Sequence, residues 1–155
     1  MRHWLMKSEP DAYSIDDLAA DGRTHWDGVR NYQARNLMRD QMKVGDRVLY
    51  HHSQLRPPGV VGLAEVVREA YPDHTSWDPD SHYFDPKASP DVPRWVMVDI
   101  AFVEKFDRMV SIDEMREHPE LQDMVLLNRS RLSVQPVTPG QFDFIVELAR
   151  RPGPQ

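Results

Sequence analysis

Alternating apolar and polar positions open the chain. Over residues 2–7, Trp4 and Met6 fall on one side and Leu5 and Lys7 on the other, which predicts a first strand. Ser14, followed three positions later by Asp17, reads as a capping box for a short helix that runs through Ala20 and stops at Gly22. Helical spacing returns over residues 32–42, with Leu37, Met38 and Met42 on the buried side and Asn31 at the N-cap. A turn at Val44-Gly45-Asp46 leads into a strand over residues 47–53. Its antiparallel partner is predicted over 59–69, beyond a Pro57-Pro58 turn. Residues 71–92 predict a long loop stiffened by Pro72, Pro79, Pro86 and Pro90 and studded with Trp77, Tyr83 and Phe84, a length more often functional than idle. The longest strand is predicted over 94–106, with Val96, Val98, Ile100 and Phe102 pointing one way. Ser111-Ile112-Asp113-Glu114 reads as a further capping box, for a helix ending before Pro119. A helical turn over 121–127 and a short strand over 132–134 follow. Thr138-Pro139-Gly140-Gln141 then supplies an N-cap, a proline at the first helical position and a glutamine at the third, opening an amphipathic helix to about residue 150.

This order lacks the strand–helix alternation of a doubly wound sheet, and no glycine-rich phosphate loop follows a strand. It predicts a small α+β domain: a curved or barrel-like sheet of mostly antiparallel strands with helices at its rim. Residues 1–150 form one domain and residues 151–155 a short tail. A chain of 155 residues is long enough to bury a real core. Hydrophobic residues at 40% against charged residues at 28% exclude a disordered chain. There is no apolar run of membrane-spanning length, and Arg2 and Lys7 bring charge too early for a signal peptide. Cysteine is absent, which excludes disulfides, thiolate catalysis and cysteine-based zinc sites and predicts a cytoplasmic protein. Nothing demands more than a monomer.

The net charge of −6 is unevenly spread. Between Gly22 and Arg56, Arg23, Arg30, Arg35, Arg39, Lys43, Arg47 and Arg56 stand against Asp27, Asp40 and Asp46, which is 7 minus 3, or +4. The remainder carries 12 basic against 22 acidic residues, or −10. Such a body cannot coat a duplex tightly, because that takes many neutralised phosphates. It can hold a few phosphates around one base, although solvated helix charges account for some of these residues.

That basic segment contains the richest chemistry: Trp26-Asp27-Gly28-Val29-Arg30-Asn31-Tyr32-Gln33-Ala34-Arg35-Asn36. Its rings, guanidiniums and carboxamides can stack on a flat ring, read its edge and hold a phosphate, which suits a flipped-out nucleobase. The alternative is a surface loop whose Trp26 plugs the core. Lys7 and Ser8 place an ammonium and a hydroxyl at the end of the first strand, fit for the polar rim of a held base. Trp77 offers a second wall opposite Trp26, or else an anchor for its own loop. Trp4 and Trp95 begin strands and are assigned to the core or rim. His51 and His52 are adjacent in a strand, point to opposite faces and cannot readily share an ion; one of them lines the pocket. The remaining histidines lack the spacing of a zinc enzyme, so no metal is predicted. None of Ser8, Ser53 and Ser133 sits in a nucleophile elbow, and no catalytic residue is assigned.

These segments resemble the EVE domain family. The resemblance rests on Trp4-Leu5-Met6-Lys7-Ser8-Glu9-Pro10, the run from Trp26 to Asn36, Gly45-Asp46-Arg47-Val48-Leu49-Tyr50-His51-His52-Ser53 and Gly62-Leu63-Ala64-Glu65-Val66. Asp85-Pro86-Lys87, Pro93-Arg94-Trp95 and Arg131-Leu132-Ser133-Val134-Gln135-Pro136-Val137 extend it to about Ala149. It implies a PUA-like pseudo-barrel that recognises a modified nucleobase in DNA or RNA, without a cofactor. The pocket it implies uses Lys7, Ser8, Trp26, Asn31 and Tyr32, with Ser53 and His51 or His52 closing it; Val29 and Trp77 complete the expected base-binding set from the residues themselves. Arg30, Arg35 and Arg39 near the mouth would hold flanking phosphates. Two other classes remain open: an enzyme acting on a nucleobase, which a raised pKa at Glu9 or Asp27 would favour, and a protein–protein adaptor using the proline-rich loop.

Overall fold

A computed structural model describes residues 1–128 and 131–153; the last two residues of the expected tail lie outside them. Among the described residues six strands form one sheet: β1 (His3–Ser8), β2 (Arg23–Trp26), β3 (Arg47–His52), β4 (Gly59–Pro72), β5 (Val96–Ser111) and β6 (Val134–Val137). Five α-helices join them: α1 (Ile15–Asp21), α2 (Tyr32–Asp40), α3 (Ile112–Arg116), α4 (Val125–Asn128) and α5 (Pro139–Ala149). The spatial order is β2-β5-β4-β3-β1-β6, and the described ladder does not close. Its pairs are antiparallel except for β1 with β3, which run parallel from His3↔Arg47 to Ser8↔His52. Residues 9–46 therefore carry the chain from the end of β1 back beside its start, contributing β2 to the opposite edge of the sheet on the way.

Alternation along the strands divides the core. Trp4, Met6, Val48 and Tyr50 share one cluster with Ile15 and Leu18 of α1, Ala34 and Met38 of α2, and Trp26. Leu5 and Leu49 point the other way, into a cluster with Met115, Leu126, Phe142 and Ile145 from α3, α4 and α5. The helices thus cover both faces of the sheet and are not confined to its rim. β4 and β5 form a long hairpin whose register slips at several points, which bends and twists the ladder.

Most predicted boundaries lie within a few residues of the observed ones. Both Ser14 and Thr138 make the full capping box. The Ser111 cap is only half of one: its hydroxyl accepts the Glu114 N–H, but the Glu114 carboxylate turns to Arg108 in two hydrogen bonds of 2.7 and 2.9 Å. The last strand starts at Val134 and not at Leu132. Spacing marks no strand between Gly22 and Asn31, yet β2 is a four-residue edge strand in which Trp26, paired with Val98, is the one buried side chain. One inward ring is too little alternation to mark a strand.

Candidate nucleic-acid interface

Three segments far apart in sequence meet at one end of the sheet: the carboxyl ends of β1 and β3, the β2–α2 connection, and the loop from 73 to 95. β1 and β3 end together, and the Ser53 N–H donates to the Ser8 carbonyl at 3.0 Å. The hydroxyls of Ser8 and Tyr50 both donate to the Tyr13 carbonyl, each at 2.8 Å, tying the approach to α1 onto the strand ends. Trp26 closes β2 with its ring edge-on to Tyr50, centroids 5.5 Å apart.

Asp73 fastens the long loop to the β2–α2 connection. Its buried carboxylate accepts from the Gly28 N–H at 2.9 Å, from Arg30 Nη1 at 3.0 Å, and from the Thr75 N–H and hydroxyl. Burial alone would raise this carboxyl, but the hydrogen bonds from Thr75, Gly28 and Arg30 outweigh it and hold it below the usual range. Arg30 also reaches the Tyr83 carbonyl with Nε and Nη2, at 3.0 and 2.8 Å. Gly28 has φ +80°, and a Cβ there would lie 2.6 Å from the Tyr83 ring, so only glycine admits this approach.

Charge gathers at the same place. The Asp27 carboxyl is raised by burial and by the nearby Asp73 charge, with His25 and Arg30 opposing. The Tyr83 phenol is raised by burial and then by Asp27, with Glu9 and Asp73 adding to it. Glu9 from the end of β1, Asp27 from the end of β2 and Tyr83 from the loop therefore lie within electrostatic reach of one another. A carboxylate in such a position can accept hydrogen bonds from an exocyclic amine.

The expected site residues divide into groups. Ser8 and His52 lie on Trp26's face of the sheet, and His52 accepts the Ile15 N–H at 3.2 Å beneath α1. Lys7 and His51 pair on the opposite face, beyond Leu5 and Leu49, so they reach a base at Trp26 only around the strand ends. Both feel burial: the Lys7 ammonium is lowered, and His51 is lowered to about 4 by burial and then by the Lys7 charge. Trp26 and Val29 are 8% and 6% exposed, so the indole is also a core side chain. Asn31 is the cap of α2, its Oδ1 accepting the Ala34 N–H at 2.9 Å. Tyr32 is 50% exposed and stacks on Trp95. Ser53 follows β3 half-buried, and Trp77 ends a short 3-10 turn (His74–Trp77), also half-buried.

The arginines correct one expectation. Arg30 does not present its donors to solvent; they are spent on Asp73, Tyr83 and the Val29 carbonyl. Arg39 is paired with its neighbour Asp40 at 2.8 Å. Arg35 donates to the Arg94 carbonyl and to Asn36. Tyr83, Asp73 and Arg94 were not assigned from sequence. The one signal for Tyr83 is the glycine at 28, which permits a close neighbour; Asp73 has none, since its carboxylate's partners beyond its own turn, Arg30 and Gly28, are 43 and 45 residues away.

Comparison with known proteins gives this geometry a context. The EVE domain family matches residues 2–148. Human thymocyte nuclear protein 1 is 42% identical, over 96% of this chain and 74% of its own length. A solved structure of a hypothetical protein from Leishmania major is 50% identical with a TM-score of 0.93, covering 96% of this chain and 94% of that one. The crystal structure of human THYN1 protein in complex with DNA containing 5-methylcytosine has 41% identity and a TM-score of 0.93. That likeness covers 99% of this chain and all of the other, 100%.

Proposed function

Because the chain belongs to the EVE domain family, we propose that it is a non-catalytic reader of a modified base, with 5-methylcytosine in DNA as its ligand. The observation that carries this is the end-to-end likeness to the human THYN1 protein, which was solved with such DNA. In this reading the base leaves its stack and is held beside Trp26. Asp27 accepts from the cytosine amine, because a carboxylate is the natural partner of that donor. Extruding a base costs a few kcal/mol, and stacking on an aromatic side chain returns about 1 to 3 kcal/mol. A covered methyl group adds on the order of 1 kcal/mol, which is about fivefold in affinity.

The test is an affinity panel of DNA strands with one 5-methylcytosine, one hydroxymethylcytosine or plain cytosine, at a single salt concentration. The methylated strand should bind about fivefold more tightly than the plain one. Equal binding across the panel removes the reader function. Replacing Asp27 by Ala should weaken methylated and plain cytosine strands together, because the amine is common to both.

A second reading, an enzyme acting on the base, has one observation in its favour: the raised Asp27 carboxyl is a candidate proton donor. Incubating the protein with methylated strands and analysing the released and remaining bases separates the two. A product formed by the native chain and lost in Asp27→Asn would favour the enzyme; unchanged DNA favours the reader.

A further inference from the structure

At the far end of the Trp26–Asn36 run, one surface combines an aromatic pair with two arginines that form no ion pair among the described residues. The Tyr32 ring stacks on Trp95 with centroids 4.7 Å apart and planes 25° from parallel. Trp95 is itself 5% exposed and anchored by its indole N–H to Asp85 at 2.7 Å. The Arg35 guanidinium carbon lies 4.6 Å from the Tyr32 centroid and 5.8 Å from that of Trp95. Those three separations put Arg35 at the rim of the pair, because a cation on Tyr32's outer face would lie much farther from Trp95. Trp95 covers one face of the Tyr32 ring, and Tyr32 as a whole is half exposed. Arg94 stands at another edge, donating to the Tyr32 hydroxyl at 2.9 Å.

Some arginines are ion-paired and others are not, Arg2, Arg47, Arg56, Arg68 and Arg116 being among those without a carboxylate at ion-pair distance among the described residues. Arg23, Arg30, Arg39, Arg108 and Arg150 are each matched by a carboxylate. Among the described residues Arg35 and Arg94 have none within ion-pair distance; their donors meet an amide oxygen, backbone carbonyls and a phenol. Asp40 feels the Arg35 charge and Asp85 the Arg94 charge, but neither carboxylate is hydrogen-bonded to that guanidinium, so an anion can take up the remaining donor capacity.

We propose that the Tyr32–Trp95 pair, flanked by Arg35 and Arg94, is a ledge for the nucleotide next to the one being read. A neighbouring base stacks on the outer face of Tyr32, and its phosphate lies against the two guanidiniums. Stacking of this kind tolerates any base, since each has a π-face. The ledge belongs to a single or locally opened strand, whose bases are free to splay. It rests on the reading that the chain binds a modified base, but it assigns Tyr32 to strand holding and not to recognition.

The experiment uses the full chain and short single strands with one 5-methylcytosine or one plain cytosine, each also made with an abasic unit on either side of it. For the native protein, one of the abasic neighbours should weaken binding about tenfold. Tyr32→Leu should weaken methylated and plain strands by the same factor, leave their ratio unchanged, and erase the abasic penalty. Tyr32→Phe keeps the ring, loses only the Arg94 hydrogen bond, and should retain the abasic penalty. Tyr32 is exposed, so unchanged thermal melting of both variants is expected. Native affinity in Tyr32→Leu, or an abasic penalty that survives in it, overturns the ledge while the reader function stands. A changed ratio of methylated to plain binding places Tyr32 in the recognition pocket instead and also overturns it. Failure of the native chain to bind any strand removes both proposals.

Discussion

At position 51 an imidazole is buried with neither nitrogen hydrogen-bonded among the described residues. Burial and the neighbouring Lys7 charge keep it neutral down to about pH 4, whereas an unfolded histidine protonates near 6.5. Between those values the unfolded chain binds more protons, so stability falls as pH drops through that window, by up to about 3 kcal/mol from this residue. Denaturant melts at pH 7 and pH 4.5 should show His51→Leu losing less stability than the native chain; parallel losses would refute the assignment. Trp26 makes a related point. At 8% exposure, in contact with Tyr50, it carries packing as well as any stacking role. Trp26→Ala should therefore cost about 3 to 5 kcal/mol of folding stability, and lost binding in that variant would be ambiguous. Trp26→Phe keeps an aromatic face, and its ratio of methylated to plain binding is the informative measurement.

Among the elements, the loop over residues 73–95 is set by one partly buried ion pair. Removing Arg30 leaves the Asp73 carboxylate buried without its cation, which should cost about 3 to 5 kcal/mol. Thermal melting of Arg30→Ala, with hydrogen exchange showing loss of protection near Thr75 and Ser76, checks this. A variant that melts normally but binds DNA with fewer ionic contacts would restore the phosphate-holding role first expected of it. This pair also shows where sequence reading stops. Caps and strand alternation are local, so Ser14, Asn31 and Thr138 mark their helices and Trp4 and Met6 mark β1. The aromatic and basic content of residues 26–36 marks the candidate site for the same reason. What sequence spacing could not carry was distance in three dimensions. It placed Lys7 and Ser8 on one lip, although consecutive strand residues face opposite ways, and it could not foresee that Asp73 would claim Arg30.

For the whole molecule, the −6 charge and the ion pairing of Arg23, Arg30 and Arg39 limit how many phosphates the basic segment can neutralise. With Arg35 and Arg94 as the open pair, the logarithm of affinity for a single strand should fall with the logarithm of salt at a slope near −1.4, roughly 0.7 for each of two phosphates. A titration giving a slope several times steeper would mean a wider basic footprint than these two residues provide. The pairing of β1 has a different reach. The first strand lies between β3 and β6, and its Lys7 N–H is held by the Ser133 carbonyl at 2.9 Å. The two ends of the chain are thus sewn together directly under the floor of the interface. Clipping the polypeptide ahead of Val134 would undo that floor without deleting one residue assigned to a ligand, and a ligand gripping Ser8 would slow the fraying of Val134–Val137.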